Sequence, residues 1–276
     1  MLIKELEYYE AVQRLRYMDD VFMSECFDGN IPCVQLILRI ILNDESLNIT
    51  RVESQAFVKG WGRSVELDVL CEDDRGRGFD VEAQRSDSGA ILRRARYHSS
   101  MMDYGSLNAR NKFRQLRDNY VIFITEHDVL KRGLPLYTIN RRIDETGELA
   151  GDGSHILYVN ASNQDPGTPL GRLMHDFMEP DPKKMYYPLL AETAAFYKSD
   201  GLEVKKMAGV IEEIVNRDRD ELLRQGREEG SAITTENFAI NMLRAGKLAL
   251  RDIAEYSGLS VVRLKGIADS LGIACK

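Results

Sequence analysis

The chain has 276 residues, 43% hydrophobic and 29% charged, with a formal net charge of -7. Such a composition builds an ordinary globular core with room for a satellite unit, and its surplus of acids excludes a protein coated in positive potential. Four cysteines without a CxxC pair exclude a zinc ribbon and fit a reduced compartment; the charged start and short apolar runs point away from export and membrane spanning, so a cytoplasmic location is expected.

Ile3, Leu6, Tyr9, Val12 and Leu15 recur at helical spacing, and Asp19 and Asp20 in "MDDVFMSECF" suit the start of a second helix. Pro32 opens the next helical run, "IPCVQLILRIILN", where a missing N–H costs least. "TRVESQAFVKG", "RSVELDVLCE" and "GFDVEAQR" read as strands, the last two joined by the turn "DDRGRG". From Ala90 to Arg117 the pattern is helical, reset at Gly105, and "NYVIFIT" follows as a buried strand, with "LPLYTINRRI" and "HILYVNAS" as further strands.

This order predicts an α/β fold, a mixed sheet flanked by helices, with the long helix crossing over from the acidic hairpin to "YVIFIT". Residues 162–183 are rich in turns, and those after about 185 are helical and heavily charged. Three parts are expected: an α/β domain over 1–185, a charged helical linker over 186–230 and a small helical region over 231–276. In the last, "LRDIAEYSGLSVVRLKGIADSLG" has helix-turn-helix spacing around "SGLS". Two readings stand for it: DNA recognition by the helix from Ser260, or a packing or oligomerisation bundle, since Arg263 and Lys265 are that helix's only basic residues.

The hairpin carries the chemistry. Strand alternation puts Glu66 and Asp68 on one face, and Asp80, Glu82 and Gln84 on one face of the next strand. Pairing the strands brings Asp68 beside Glu82, which is unfavourable unless a cation sits between them. Carboxylate oxygens suit Mg²⁺, with Mn²⁺ as a substitute, and such an ion keeps positions open for water and a substrate phosphate. It acidifies water and offsets charge during in-line attack, so the pattern serves phosphodiester hydrolysis.

"RSVELDVLCEDDRGRGFDVEAQR", "RRARYHSSMMD", "YVIFIT" and the later "GREEG" and "DIAEYSGLS", in this order, resemble the PD-(D/E)XK nuclease family transposases, the recombination-promoting nucleases. The resemblance implies a restriction-endonuclease-like sheet and a metal-dependent DNA endonuclease associated with recombination or transposition. It makes Asp68 the first acid and Glu82 the second, both holding the metal, with the Ala83 carbonyl as a further ligand. Gln84 stands where the superfamily's name puts lysine; it can orient the attacking water but brings no positive charge to the transition state. Asp20, or its neighbour Asp19, resembles the family's N-terminal helix acid, the alternative being a helix cap.

Eight Lys and Arg residues lie between Arg85 and Arg117, against Asp87 and Asp103. Arg85, Arg94, Arg96 and Tyr97 are the candidate DNA contacts; Arg94 and Tyr97 match the family's "R..Y" helix, and the alternative is a solvated basic face. His98, His127, His155 and His175 have no metal-ligand spacing, and "GDGSH" and "DRGRG" lack the strand-to-helix context of a phosphate loop. The expected partners are DNA and a second copy of the chain, because cutting both strands takes two active sites; no membrane is expected. The competing reading is a non-catalytic DNA-binding or protein-interaction module on a nuclease fold, with the acids as hairpin surface.

Overall fold

The computed structural model describes residues 3–199 except 61, 108, 109 and 111, and residues 235–273 except 245–247 and 272; the side chains of residues 3–8 are outside that description. It forms two compact units, Met1–Ile211 and Glu212–Lys276.

The first unit opens with α1 (Ile3–Arg14), α2 (Asp20–Phe27) and α3 (Ile31–Leu42). Asn30 Oδ1 accepts the Cys33 N–H at 3.3 Å, Pro32 lies in the first turn of α3, and Asn43 closes the helix in the left-handed region. Six strands follow: β1 (Ile49–Val58), β2 (Val65–Asp73), β3 (Gly78–Gln84), β4 (Asn119–Thr125), β5 (Leu136–Ile139) and β6 (Ser154–Asn160). They make one sheet in the order β1-β2-β3-β4-β6-β5. Antiparallel pairing joins β1, β2 and β3, parallel pairing joins β3, β4 and β6, and β5 closes the edge antiparallel to β6.

Between the parallel neighbours β3 and β4 runs α4 (Leu92–Ser106), the crossover that the order of elements predicts. Ala95, Met101 and Met102 of α4 pack with Leu67, Val121, Phe123 and Tyr158 of the sheet in one buried cluster. A mixed sheet with helices on it is the restriction-endonuclease-like α/β arrangement expected from the sequence. Strand β4 is buried at every position but Tyr120, which is why it reads as a continuous apolar run.

Three elements differ from expectation. The helical pattern read as far as Arg117 ends at Ser106, where Gly105 is a weak helix former and Ser106 Oγ bonds back to the Asp103 carbonyl. A helix, α5 (Pro169–Met178), occupies the segment read as turns: Thr168 Oγ1 accepts the Gly171 N–H at 3.0 Å, Pro169 starts the first turn, and Leu173, Met174 and Phe177 are buried. A side chain at Gly171 would collide with the Asp165 backbone, so the preceding loop closes tightly over the helix start. The first unit also extends past 185. Its helix α6 (Pro188–Tyr197) is tied back by Tyr17 Oη, which donates to the Leu190 carbonyl at 2.7 Å, and by the buried Lys198, whose Nζ donates to the Leu15 carbonyl at 2.6 Å. From residue 200 to 230 the expected charged linker lies outside the described residues.

The hairpin that presents the acids is locked at its tip. Asp73 is buried, and its carboxylate accepts the Arg75 N–H (3.0 Å), the Arg77 N–H (2.7 Å) and Arg77 Nε–H (2.7 Å), while Gly76 supplies the positive φ of the turn. Asp73→Ala strands three donors and should cost about 3 kcal/mol of unfolding free energy, read by urea denaturation.

The second unit is helical, with α7 described over 235–244, then α8 (Leu250–Ser257) and α9 (Val261–Leu271). Gly258, in the left-handed region, makes the short turn between α8 and α9 expected around "SGLS". Ala239, Leu243, Ile253, Leu264, Ile267 and Ala268 form its core. Among the described residues no helix is long and apolar enough to cross a membrane.

Candidate active site

The regular pairing of β2 with β3 ends at Val69–Val81, and the next residues in register are Asp68 and Glu82. There the two carboxylates take over from the ladder. Glu82 Oε1 accepts the Asp68 N–H at 3.1 Å, and Asp68 Oδ2 accepts the Ala83 N–H at 3.2 Å. On the other side Asp68 faces β1 at Gln55, a residue with φ of 51° between the regular pairs Ser54–Val69 and Ala56–Leu67. A non-glycine residue in the left-handed region inside a strand is a local irregularity, and it stands beside the acid expected to hold the metal.

Glu82 is fully buried, Asp68 half-buried. Burial first, and then each other's charge together with that of Asp20, pushes Asp68 well above the ordinary carboxylate range. Burial, and next the charge of Asp80, pushes Glu82 up to about 8. Asp80, also fully buried, is raised by burial and then by Asp68. The hairpin therefore gathers three carboxyl groups in one desolvated place, where burial and mutual repulsion favour their protonated forms.

Helix α4 supplies the counterpart. Arg94 Nη2 meets Glu82 Oε2 at 3.1 Å, and its Nη1 donates to Gln84 Oε1 (3.3 Å) and to the Gly89 carbonyl (3.2 Å). Arg94 Nε donates to His98 Nε2 at 3.2 Å. A guanidinium has no lone pair, so Nε2 is the unprotonated nitrogen of that ring and Nδ1 carries the hydrogen. Nδ1 lies 2.9 Å from Asp80 Oδ2 and 3.5 Å from Glu82 Oε1. Burial lowers the pKa of His98 and keeps the ring neutral. Sequence spacing alone hid this histidine: its partners lie on a strand 16 and 18 residues earlier, and only the crossover brings them together (98 − 82 and 98 − 80).

Gln84 reaches back over this cluster, its Nε2 3.5 Å from Glu82 Oε2. Gly89 makes room for it, because a Cβ at that position would collide with Gln84 Oε1.

The N-terminal acids divide. Asp20 starts α2, and its charge adds, after burial and Glu82, to the upward push on Asp68. Asp19 stands at the N-cap of α2 without capping it: Oδ2 accepts the Arg16 N–H at 2.8 Å, and Oδ1 pairs with Arg85 Nη1 at 3.0 Å.

Of the four residues expected on DNA, Arg94 is turned into the acidic cluster and Arg85 is held by Asp19 and by Glu126 (3.3 Å) at its rim. Tyr97 Oη donates to the Arg63 carbonyl, and Arg96 is exposed. Arg85 and Arg94 are thus engaged by acids, whereas Arg96 is open to solvent.

Two donor sets bear on a divalent cation. Asp68 and Glu82 offer hard carboxylate oxygens at the half-buried edge, and Asp80 Oδ1 is buried without a hydrogen-bond partner, the sort of orphaned acceptor that a cation or a proton satisfies. These fit a Mg²⁺-type ion. Asp80, Glu82 and His98 also place ligand atoms within 4.8 Å of one another. In the tautomer set by Arg94, however, His98 Nδ1 has no lone pair to offer, so an ion there would first have to displace the Arg94 bond.

Because the folded-state pKa values of these carboxyls are raised, the site favours folding fully only below the unfolded value near 4, and that contribution is lost as pH rises through the raised values. Asp68→Asn keeps an acceptor for the Ala83 N–H and removes one charge. In EDTA at pH 8 it should raise the thermal midpoint by a few degrees, about 1–2 kcal/mol, and the gain should vanish at pH 4, both read by calorimetric scans.

Comparison with curated proteins and with solved structures finds no significant match. Residues 34–159 match the family model described as PD-(D/E)XK nuclease family transposase. That span runs from α3 to β6 and holds Asp68, Asp80, Glu82, Gln84, Arg94 and His98, with Asp20 outside it. Over that span, a little under half of the chain, the sequence is similar to the PD-(D/E)XK nuclease family transposases.

Proposed function

We propose that the protein is a Mg²⁺-dependent endodeoxyribonuclease that hydrolyses phosphodiester bonds of DNA, in a setting of recombination or transposition. The observation that carries this reading is the pairing of Asp68 with Glu82 at a half-buried edge, Glu82 holding the Asp68 N–H and Asp68 the Ala83 N–H, where a solvated hairpin would keep such acids apart. Asp68 and Glu82 are the ligands, with the Ala83 carbonyl as a third and Asp20 adding negative potential from α2. A divalent cation held there would acidify a water and offset charge on the phosphate.

Gln84 orients the water. Its amide oxygen accepts one N–H from Arg94 and keeps a second lone pair for a water hydrogen. The water oxygen bonds to phosphorus and one ester P–O bond breaks, its electron pair staying on the departing alkoxide. The water loses a proton to solvent and the alkoxide gains one, leaving a phosphate monoester and an alcohol. Arg96, exposed on α4, positions the backbone phosphates, and Arg85 does so from the rim. Two copies acting together would cut both strands. The free, buried thiols of Cys26, Cys33 and Cys71 support a cytoplasmic setting.

Supercoiled plasmid incubated with Mg²⁺, Mn²⁺, Ca²⁺ or EDTA tests the reading. Nicking or linearisation with Mg²⁺ and Mn²⁺, absent in EDTA, is expected. A folded protein that binds plasmid and cuts with neither ion would instead be a DNA-binding module on a nuclease fold.

A further inference from the structure

Gln84 cannot carry charge, so the hydrolysis proposed above lacks a cation on β3. Every contact of Arg94 bears on that gap. Its guanidinium spans the two functional residues of β3, touching Glu82 at 3.1 Å and Gln84 at 3.3 Å. It stacks above the Phe123 ring at 5.8 Å, and His98, itself bonded to Asp80, accepts its Nε–H from behind. Four of the five N–H groups are engaged: Nε by His98, both of Nη1 by Gln84 and Gly89, one of Nη2 by Glu82. One N–H of Nη2 remains, and the side chain is 37% exposed while the Glu82 side chain is fully buried.

We infer that Arg94 is the cationic catalytic residue of this site: reaching in from α4, it donates to a non-bridging oxygen of the reacting phosphate and supplies the positive charge that Gln84 cannot. A fixed guanidinium in a desolvated site needs no reorganisation as charge grows on phosphate oxygens, and its planar fork suits phosphate. His98 and Asp80 are positioning residues. The neutral ring accepts from Nε and donates to Asp80, which fixes the plane of the guanidinium without competing for its charge. A basic residue serving only as a distant phosphate contact would not be enclosed by four acceptors, two on β3, one in the turn before α4 and one on α4 itself.

This inference rests on the nuclease reading, and the experiment separates the two. Single-turnover cleavage of a labelled duplex with Mn²⁺ is compared for wild type, Arg94→Gln, Gln84→Lys and the double variant. Duplex affinity is measured in Ca²⁺ and Mn²⁺ affinity by calorimetry. Arg94→Gln should lose about 10²- to 10³-fold in rate. Its duplex affinity should stay within about threefold of wild type, and it should still bind Mn²⁺, at least as tightly as wild type once the competing cation has left Glu82. Adding Gln84→Lys to Arg94→Gln should restore at least tenfold of the rate, because the charge returns from the strand; a scaffold role for Arg94 would not be rescued this way. Cleavage by folded Arg94→Gln at the wild-type rate, a rate loss matched by lost duplex or Mn²⁺ affinity, or no rescue by the lysine would each overturn the inference while leaving a cutting wild type intact. A wild type that does not cut overturns the nuclease reading and this inference with it.

Discussion

Asp68→Ala and Glu82→Ala should each lower metal-dependent plasmid cleavage by roughly 10³-fold or more, with circular dichroism close to wild type. The two acids act as a unit, since each fixes the backbone beside the other, so the double variant should be little worse than either single one. Glu82→Ala leaves Arg94 without its carboxylate, and Glu82→Gln, which keeps an acceptor for Nη2, serves as the companion that isolates loss of metal binding from loss of shape. A third hairpin acid supplies the contrast. Glu72 is half-buried and paired with Arg117 at the far end of β2, so Glu72→Ala should cut at the wild-type rate. Equal activity in all three alanine variants would return the acids to hairpin surface.

The affinity for Mn²⁺ should rise steeply with pH, by about tenfold per unit for each proton displaced, between pH 6 and about 8. The sign follows from the carboxyls. Burial and mutual repulsion raise Asp68 and Glu82, so their protonated forms persist in the metal-free protein and an incoming cation must expel those protons. Above about 8, where Glu82 ionises by itself, the slope should fall. His98, held neutral by burial, contributes no proton to the release. Calorimetry in buffers of different ionisation enthalpy counts the protons directly. A pH-independent affinity would mean that the ion binds carboxylates which are already ionised, away from this cluster.

Much of this site is legible in the sequence because strand alternation is a short-range rule. Val65, Leu67 and Val69 against Glu66 and Asp68, then a glycine turn, then Asp80, Glu82 and Gln84, fix a hairpin and bring Asp68 to Glu82 without further knowledge. The crossover helix and buried β4 follow from element order. What the pattern does not carry is what α4 does to the hairpin. Arg94 belongs to a basic run and reads as a phosphate contact, yet its neighbours are Glu82 and Gln84, because the crossover between β3 and β4 returns the start of α4 to within reach of the end of β3. His98 looks solitary for the same reason. One trace was available: Arg94 and His98 are four apart on a helix, hence on one face, and that face also carries Ala95 and Met102 into the core. Helix α5 was hidden by punctuation, since Pro169 and Gly171 read as a loop unless Thr168 is recognised as the cap that starts a helix.

The central claim is that Asp68 and Glu82 together hold the catalytic ion. The most direct test is a crystal of the protein soaked in Mn²⁺, with diffraction recorded at the manganese absorption edge. The account predicts one anomalous peak within about 2.3 Å of a carboxylate oxygen of both Asp68 and Glu82, with Arg94 still bonded to His98. A peak ligated by His98 and Asp80 and not by Asp68, or no peak at the hairpin in crystals of a protein that binds Mn²⁺ in solution, would contradict it.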